Sequence, residues 1–425
     1  MQDNEKKPAL RFKGFTDPWE QRKLDEAFDF TVPNNTLSRA ELNQESGSVR
    51  NVHYGDVLIK YGSVLDAQND ELPFITGRSK DDFKGALLQN GDIIIADTAE
   101  DETTGKVCEI VNIQDKDVVA GLHTMVCRPK NKTAEGYFGY YMNSSSYHHQ
   151  LLPLMQGIKV LSLSKTNVQK TTVKYPKDKA EQQKIADCLR RIDTLITLHQ
   201  RKYEKLVNIK KSMLDKMFPK NGASVPEIRF KGFTDPWEQR KLEEYLEVSG
   251  QKNFEGIYTK EDVLSVSGDF GIVNQIEFQG RSFAGASVAN YGVVETGDIV
   301  YTKSPLKSNP YGIIKANKGK NGIVSTLYAV YKPKQSANPE FVQIYFEQDA
   351  RMNNYMHPLV NKGAKNDMKV SAENALKGQI VFPDIKEQRT ISEFFRNLDT
   401  LITLHQRKLE KLQNIKKSCL EKMFV

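Results

Sequence analysis

The chain has 425 residues, of which 61 are basic and 54 acidic, so its formal charge is +7 at pH 7. Hydrophobic residues make up 39% and charged residues 27%, a balance typical of folded proteins that excludes a largely disordered chain. The length exceeds that of one ordinary domain, and the small positive charge permits a nucleic-acid partner without requiring one.

Cysteine usage and apolar runs indicate the cellular compartment. Cys108, Cys127, Cys188 and Cys419 are scattered and form no C-x-x-C pair, which predicts free thiols in a reducing compartment and no zinc site. The first ten residues lack the apolar segment of a signal peptide, and runs such as IIIA at 93–96 are too short to span a membrane. We therefore expect a cytoplasmic protein without a membrane partner.

The chain begins with a short segment that it uses twice. RFKGFTDPWEQRKL stands at 11–24 and again, unchanged, at 229–242. An identical segment of this length indicates an internal duplication. We expect each copy to lead into a domain of its own, with Trp19 and Trp237 packed against a shared framework.

A first variable region follows at residues 25–178. Short apolar runs broken by Gly, Asn and Pro predict a mixed α/β domain. The segment at 97–106 is acidic; carboxylates repel phosphates, although one can accept a hydrogen bond from cytosine N4. The basic residues that we predict to contact DNA in this region are Arg78, Lys80, Lys84, Lys106 and Lys159.

Two long helices close the two halves of the chain. Apolar residues recur at alternating spacings of four and three along 181–217 and along 391–423, the pattern of a coiled-coil seam. About 36 residues at about 1.5 Å each would make a rod of about 54 Å. Antiparallel pairing of the two copies would place one domain at each end. The predicted seam residues are Ile185, Leu189, Ile192, Ile196, His199, Leu206, Phe395, Leu398, Ile402, His405, Leu409 and Leu412.

The two histidines of the seam, His199 and His405, occupy equivalent positions. We interpret them as polar residues that set the register of the helix pair, rather than as metal ligands or catalytic groups. The helix sequences at 192–218 and 398–424 differ at only five of 27 positions, whereas the regions between the repeats have diverged almost completely. Uniform drift after duplication explains this contrast poorly. Repeated segments that stay constant, with regions between them that vary, predict a common docking surface and two different recognition surfaces. We call the repeated segments the frame.

The second variable region, residues 243–384, is basic where the first is acidic. No acidic residue occurs from Ile299 to Pro339, and lysines there lie among Gly, Asn, Ser and Tyr, which suits contacts with phosphates and base edges. A solvated basic loop is the alternative interpretation. The predicted DNA contacts are Lys303, Ser304, Lys307, Asn309, Lys315, Lys318, Lys320, Lys362 and Lys365.

Motifs that carry chemistry are missing from the sequence. It contains no GxxxxGK[ST] phosphate loop, no HExxH, no GxSxG and no [DN]PP[YF] tetrapeptide of amino-methyltransferases. We therefore predict no catalytic residue, no metal site and no cofactor on this chain.

The combination of these features resembles the specificity subunit of type I restriction-modification systems. The resemblance is carried by FKGFTDPWEQRKL, the GDI strands at 91–93 and 297–299, the P…EQ..I lead into each long helix, and the near-identical helices. It implies that two target-recognition domains each read one half of a split, asymmetric sequence in double-stranded DNA. It also implies that two methyltransferase subunits dock on the repeated parts and that an endonuclease/translocase subunit joins them. S-adenosylmethionine, ATP and magnesium would be bound by those partners.

The expected fold is α+β, with two mixed α/β target-recognition domains joined by two long helices in an antiparallel coiled coil, an internal repeat with pseudo-twofold symmetry. We place the recognition domains at 1–178 and 221–384 and the spacer helices at 179–220 and 385–425. Two other functions stay open at this point: a stand-alone restriction or modification enzyme with fused recognition domains, and a coiled-coil adaptor without a DNA role.

Overall fold

The computed structural model describes residues 7–220, 222–303, 309–360 and 370–425. The chain forms two units, the first made of Met1–Gln200 with Arg407–Val425 and the second of Arg201–Gln406. Each unit therefore contains a variable region together with segments of both long helices. None of the helices in the described ranges combines the length and the apolar character that a bilayer span requires.

The first unit is built on a five-stranded and a four-stranded sheet. Its strands are Glu20–Lys23 (β1), Phe28–Asp29 (β2), Leu42–Asn43 (β3), Val49–Val52 (β4), Val64–Asp66 (β5), Phe74–Ile75 (β6), Ile93–Ala96 (β7), Thr98–Ala99 (β8), Val107–Val111 (β9), Asp117–Ala120 (β10), Thr124–Pro129 (β11), Leu161–Ser162 (β12) and Thr172–Tyr175 (β13). The five-stranded sheet has the order β2-β11-β7-β9-β5 and the four-stranded sheet the order β10-β4-β6-β3. Strands β1 and β13 form a separate antiparallel pair, and so do β8 and β12.

Short helices cover the sheets of the first unit, and one long helix leaves it. They are Leu24–Ala27 (α1), Tyr54–Ile59 (α2), Tyr137–Met142 (α3), Ser145–His148 (α4), Lys165–Gln169 (α5) and Lys179–Lys216 (α6). Helix α6 begins where the Asp178 side chain accepts a hydrogen bond from the Ala180 N–H at 2.8 Å. It continues for 38 residues, in agreement with the predicted helix at 181–217.

The second unit has a simpler sheet and the second long helix. Its strands are Glu238–Lys241 (β14), Leu246–Val248 (β15), Leu264–Ser267 (β16), Gly271–Asn274 (β17), Gly292–Val294 (β18), Ile299–Thr302 (β19), Ile314–Ala316 (β20), Gly322–Val324 (β21), Tyr328–Pro333 (β22) and Gln379–Phe382 (β23). Its helices are Gln275–Gln279 (α7), Pro339–Tyr345 (α8), Asp349–Met356 (α9) and Ile385–Lys422 (α10). The main sheet has the order β15-β22-β19-β20, and β14 pairs with β23, β16 with β17 and β18 with β21.

A shared antiparallel core occurs in both units despite their divergent sequences. Ile93 pairs with Cys127 between β7 and β11, and Ile299 pairs with Tyr331 between β19 and β22, so the GDI strands keep the same register. The aspartate of each GDI is buried, and each binds a cation on the partner strand. Asp92 binds Arg128 at 2.7 Å, and Asp298 binds Lys332 at 3.0 Å. The short matches found in the sequence thus mark one conserved sheet.

The repeated opening segment of the first unit is tied to the start of α6. The Arg11 guanidinium donates two hydrogen bonds to the Glu181 carboxylate, at 2.7 and 2.8 Å, and a third to the Asp17 carbonyl. The buried Trp19 ring donates from Nε1 to the same carboxylate at 3.4 Å. Strand β1 then pairs antiparallel with β13, which leads directly into α6.

The second unit repeats the arginine and strand contacts around α10, but not the hydrogen bond from the tryptophan ring. The Arg229 guanidinium donates two hydrogen bonds of 2.8 Å to the Glu387 carboxylate and one to the Asp235 carbonyl. Trp237 is buried, and β14 pairs with β23 just before α10. The two Trp residues pack in the frame as predicted, and the EQ of each helix lead-in supplies the partner of the repeated arginine.

Both long helices take part in an antiparallel helix pair within each unit. In the first unit Asp193 on α6 binds Lys416 on α10 at 2.6 Å, and in the second Lys210 on α6 binds Asp399 on α10 at 2.8 Å. These are equivalent pairs, because both residues are shifted by the same interval along the repeat. Every residue predicted for the seam is buried or half-buried. The architecture is the predicted α+β fold with a repeated frame and paired helices.

The apolar cores include the ends of the long helices. In the first unit Phe424 lies edge-on to Trp19, Tyr137 and Tyr141, with ring centroids 5.6–6.5 Å apart. In the second unit Phe218 contacts Trp237 and Phe341 at 5.9 and 5.8 Å. Burial of a phenylalanine contributes about 1.5–3 kcal/mol, so each helix end is firmly anchored.

The buried Arg11–Glu181 pair predicts a large loss of stability when its carboxylate is removed. Glu181→Ala leaves the Arg11 guanidinium, whose side chain is 12% exposed, without its partner, and we expect a loss of about 3 kcal/mol in the free energy of unfolding. Urea denaturation of the full chain measures it. The matched control is Glu71→Ala, which breaks an exposed pair with Lys60 and should cost less than about 1 kcal/mol. Equal losses in both variants would contradict the assignment.

The buried Glu109 predicts a pH dependence of the first unit. Its carboxyl accepts N–H bonds from Gly136 and Gly139 at 2.6 and 2.9 Å, yet burial raises its pKa from 4.5 to about 7. The folded state therefore binds more protons than the unfolded state between these values. We expect the free energy of unfolding to fall between pH 4.5 and about pH 7, by on the order of 3 kcal/mol at most.

The variant Glu109→Gln should lack this component, because an amide does not titrate. Urea unfolding of both proteins at pH 5 and pH 8 measures the difference. Glu71→Gln, which removes an exposed carboxylate beside Lys60, is the control and should keep the wild-type pH response. Parallel pH responses of wild type and Glu109→Gln would refute the assignment.

Candidate nucleic-acid interface

Three of the predicted cations surround a short turn beside the four-stranded sheet of the first unit. The turn at Lys80–Phe83 is closed by the Asp82 carboxylate, which accepts the Ser79 N–H at 2.7 Å. Lys80 is held against β10 by Asp117 at 2.8 Å. Arg78 and Lys84 flank the turn and are exposed. We call Arg78, Lys80 and Lys84 the basic group. Arg78 and Lys84 are its candidates for phosphate contacts, because Lys80 is paired, and the carboxylates of Asp81 and Asp82 lie in the same turn.

The two other candidates of the first unit differ in their surroundings. Lys106 is half-buried and donates to the Leu58 carbonyl at 2.7 Å, and burial lowers its pKa. Lys159 lies at the exposed tip of a hairpin, beside Ile158, whose side chain is fully exposed. Gly157 makes the turn at φ +125°, where a Cβ would lie 1.9 Å from the Val160 carbonyl oxygen. Lys159 is therefore presented outward, whereas Lys106 is bound to the last turn of α2.

In the second unit several candidates point inward or are paired. Lys315 is buried in β20, and burial lowers its pKa. Asn309 is buried and donates to the Asp349 carboxylate at 2.7 Å. Lys318 and Lys320 are exposed and lie 3.5 Å from Glu340 and Glu277 respectively. We therefore leave Lys315 and Asn309 out of the proposed interface.

The other predicted DNA contacts of the second unit lie at the edge of the described residue ranges or outside them. Lys303 ends the segment that includes β19, and its backbone N–H donates to the Leu327 carbonyl at 3.0 Å. The residues that fall outside the described ranges are Ser304, Lys307, Lys362 and Lys365. Their role as DNA contacts stays a prediction.

A groove in the second unit has the wrong charge for a DNA backbone. It has a volume of about 810 Å³ and lies beside α7. Its lining includes the carboxylates of Glu261, Asp262 and Glu277 and the single cation Lys320. Within the described segments, no group of three His, Cys, Asp or Glu side chains is arranged to hold a metal ion.

A polar cluster that the sequence did not reveal lies in the first unit. Arg39 donates from both terminal nitrogens to the two carboxylate oxygens of Asp56, each at 2.8 Å. The Tyr54 ring lies between the rings of His53 and His123, with centroid distances of 4.7 and 5.3 Å. We call Arg39, Tyr54 and His123 the Arg39 cluster. Its members come from separate chain segments, so no local motif could have indicated it.

The comparisons with known proteins agree with the resemblance seen in the sequence. Residues 16–208 match the family described as "Type I restriction modification DNA specificity domain". The chain is 22% identical to a putative type I restriction enzyme specificity subunit of Methanocaldococcus jannaschii, over 94% of this chain and 91% of that protein. The crystal structure of a type I restriction-modification S subunit from M. genitalium has the same fold, with a TM-score of 0.57, 13% identity and 99% coverage of both chains. The crystal structure of the HsdS subunit from Thermoanaerobacter tengcongensis aligns with a TM-score of 0.43 and 16% identity over 97% of this chain and 98% of that chain.

The basic group predicts a specific change in salt dependence. We expect Arg78→Ala and Lys84→Ala each to lower DNA affinity on all sequences and to flatten the slope of log K against log salt by about 1. Fluorescence anisotropy of the assembled complex with labelled duplexes measures this slope. The control is Lys130→Ala, because Lys130 donates to the Asp25 carbonyl at the frame. An unchanged slope in both test variants would remove this turn from the interface.

Proposed function

We propose that this chain, which belongs to the family of type I restriction-modification specificity subunits, recognises double-stranded DNA and directs methyltransferase and endonuclease subunits to their target. It is the non-catalytic subunit of the complex and reads a bipartite, asymmetric sequence. The family match covers 16–208 directly, and the second half of the chain repeats the same frame.

One observation supports a target made of two different half-sites. The repeated segments make the same contacts in both units, whereas the variable regions between them fold differently. The Arg–Glu pair, the buried Trp and the GDI strand register recur in both units. Around them, the first unit adds the sheet β10-β4-β6-β3, and the second carries the small pairs β16–β17 and β18–β21 instead. Two different surfaces on equivalent frames suit two different half-sites. In this proposal the recognition domains are 1–178 and 221–384, and 179–220 and 385–425 are the spacer helices that set the gap.

Exposed leucines on the long helices support docking of the methyltransferase subunits. Leu195 and Leu198 of α6 are 43% and 45% exposed, and the equivalent Leu401 and Leu404 of α10 are both 44% exposed. Leucines on the outer face of a paired helix suit the apolar stripe of a further helix. Because the same pair occurs in both helix repeats, we propose two equivalent docking sites, one for each of two methyltransferase subunits.

The cofactors of the reaction belong to the partners in this proposal. S-adenosylmethionine is assigned to the methyltransferase subunits, and ATP and magnesium to the endonuclease/translocase subunit. The chain itself is proposed to bind no cofactor, and its site of action is the cytoplasm, where the DNA target is found.

A domain exchange tests the two-part target. Residues 243–384 are replaced by the matching region of another specificity subunit, and the genomic methylation sites of cells that carry the system are sequenced. We expect one half-site to change and the other half-site to stay the same, because the variable region of the first unit is left unchanged and the Arg229–Glu387 pair lies outside the exchanged region. The reciprocal exchange of residues 25–178 is the matched control and should change only the other half. A change of both half-sites by one exchange would defeat the proposal.

A further inference from the structure

We infer that the Arg39 cluster is a base-reading site of the first unit and that Arg39 reads a guanine in the major groove. The inference rests on the proposed function, since it assigns a ligand to one of the two recognition surfaces. It adds a specificity-determining residue and the chemical class of base that it contacts. Neither the composition nor the charge pattern of the region pointed to these residues.

The Arg39 guanidinium is exposed and yet fixed in direction. Its side chain is 52% exposed, whereas that of its partner Asp56 is only 13% exposed. The two bonds to Asp56 use one N–H of each terminal nitrogen and leave three N–H groups. The Nε–H and an adjacent terminal N–H form a parallel pair that matches O6 and N7 of guanine. An arginine held in this way loses little side-chain entropy when it binds.

Three aromatic rings, those of His53, Tyr54 and His123, pack against one another near Arg39. His53 is 7% exposed and accepts the Gly55 N–H on Nδ1 at 3.1 Å, so its proton lies on Nε2. Burial, followed by the charge of Arg39, lowers the pKa of His53 and favours its neutral form. The Tyr54 ring packs on His53, and the half-exposed His123 ring meets the edge of Tyr54 at 78°. The Tyr54 ring thus contacts two histidine rings and belongs to α2, the helix that also carries Asp56, the partner of Arg39.

The backbone under His123 is strained and closely supported. His123 has φ +54°, an uncommon conformation for a residue other than glycine, and its Nδ1 lies 3.4 Å from both Thr98 Oγ1 and Asp97 Oδ1. The preceding Gly121 has no space for a side chain, because a Cβ would lie 2.6 Å from Asn51 Nδ2. Strain that the surroundings enforce is typical of functional sites, where it fixes the direction of a side chain.

The loop that carries Arg39 is also next to the basic group of the interface. The turn Arg39–Glu41 accepts the Thr76 N–H on the Glu41 carbonyl at 2.9 Å, two residues before Arg78. Hydrogen bonds from Ser38 and, to a smaller extent, the charge of Arg78 lower the pKa of Glu41. A directed arginine beside phosphate-binding cations is the arrangement that base readout requires, because phosphate contacts position the duplex and base contacts specify it. A protein-docking role would leave this neighbourhood unexplained.

The test uses the full chain assembled with its methyltransferase subunits in cells without other DNA methylation. Sequencing of the methylated sites gives the preference at each position of both half-sites. For Arg39→Ala we expect the preference for guanine at one position of one half-site to fall by roughly tenfold or more, with all other positions unchanged. Arg39→Lys should relax the same position, because an ammonium group cannot form the bidentate pair.

Two further variants separate base readout from a structural role. Asp56→Asn keeps the Arg39 side chain but weakens its hold, and it should relax the same position to a smaller extent. Arg240→Ala is the matched control, because Arg240 is 49% exposed and pairs with Glu238 in the repeated strand β14. It should change no base preference. Assembly of each complex is checked by its melting temperature.

Two outcomes would overturn the inference. One is an unchanged preference at every position in Arg39→Ala. The other is a uniform loss of methylation with the preference intact, which would make Arg39 a phosphate contact or a protein contact. The proposed function fails separately, if the wild-type complex shows no sequence preference or if domain exchange leaves the target unchanged. If the wild-type complex is sequence-specific and Arg39→Ala keeps the same base preference at every position, the inference fails while the proposed function stands.

Discussion

The buried pair between the arginine of the opening repeat and the first-turn glutamate of each long helix is the contact on which the other parts depend. Glu181 and Glu387 have side chains that are 2% and 1% exposed, so each would be a costly buried charge without Arg11 or Arg229. A buried ion pair adds little net stability compared with an apolar pair of the same shape, but it tolerates only one geometry. Here that geometry joins the chain entry, the strand before the helix and the helix itself. These three segments make up the frame of each unit.

This constraint explains why the sequences of the two variable regions can diverge while the fold remains the same. The variable regions are attached to the frame through the sheet that contains the GDI strand, whose register and buried aspartate pair are the same in both units. Loops and extra strands beyond that sheet contribute little to the buried frame, and surface connections tolerate insertion and sequence change. The first unit accordingly carries a second sheet, and the second unit carries short strand pairs, while the Arg–Glu pair and the GDI strand register are the same in both.

The sequence predicted the long helices and the repeated segments far better than the positions of the DNA-contact candidates. The reason is that the helices follow from a local pattern, whereas the surfaces depend on contacts between residues far apart in the chain. The 3-4 spacing of apolar residues in α6 and α10 is a local pattern repeated over many turns, so the helices and their seam were accessible from the sequence. The predicted DNA contacts, by contrast, depend on which side of a two- to six-residue strand each residue faces and on partners far along the chain. Lys315 looked like a loop lysine among Gly and Asn but lies buried in β20. Arg39 and His123 meet through Asp56 and Tyr54, and no periodic pattern links these positions.

The ends of the two long helices are packed in the same way in both units. Phe424 contacts Trp19 in the first unit, and Phe218 contacts Trp237 in the second, so the opening repeat and the helix repeat form one packed cluster in each unit. A change in either partner would leave a cavity or a clash in a core that is packed without voids. Each unit also receives the end of the helix whose other segment belongs to the other unit. A substitution at one copy of this cluster therefore affects a core and the end of a long helix together. Conservation of the frame and variation of its filling are then both consequences of where the buried contacts lie.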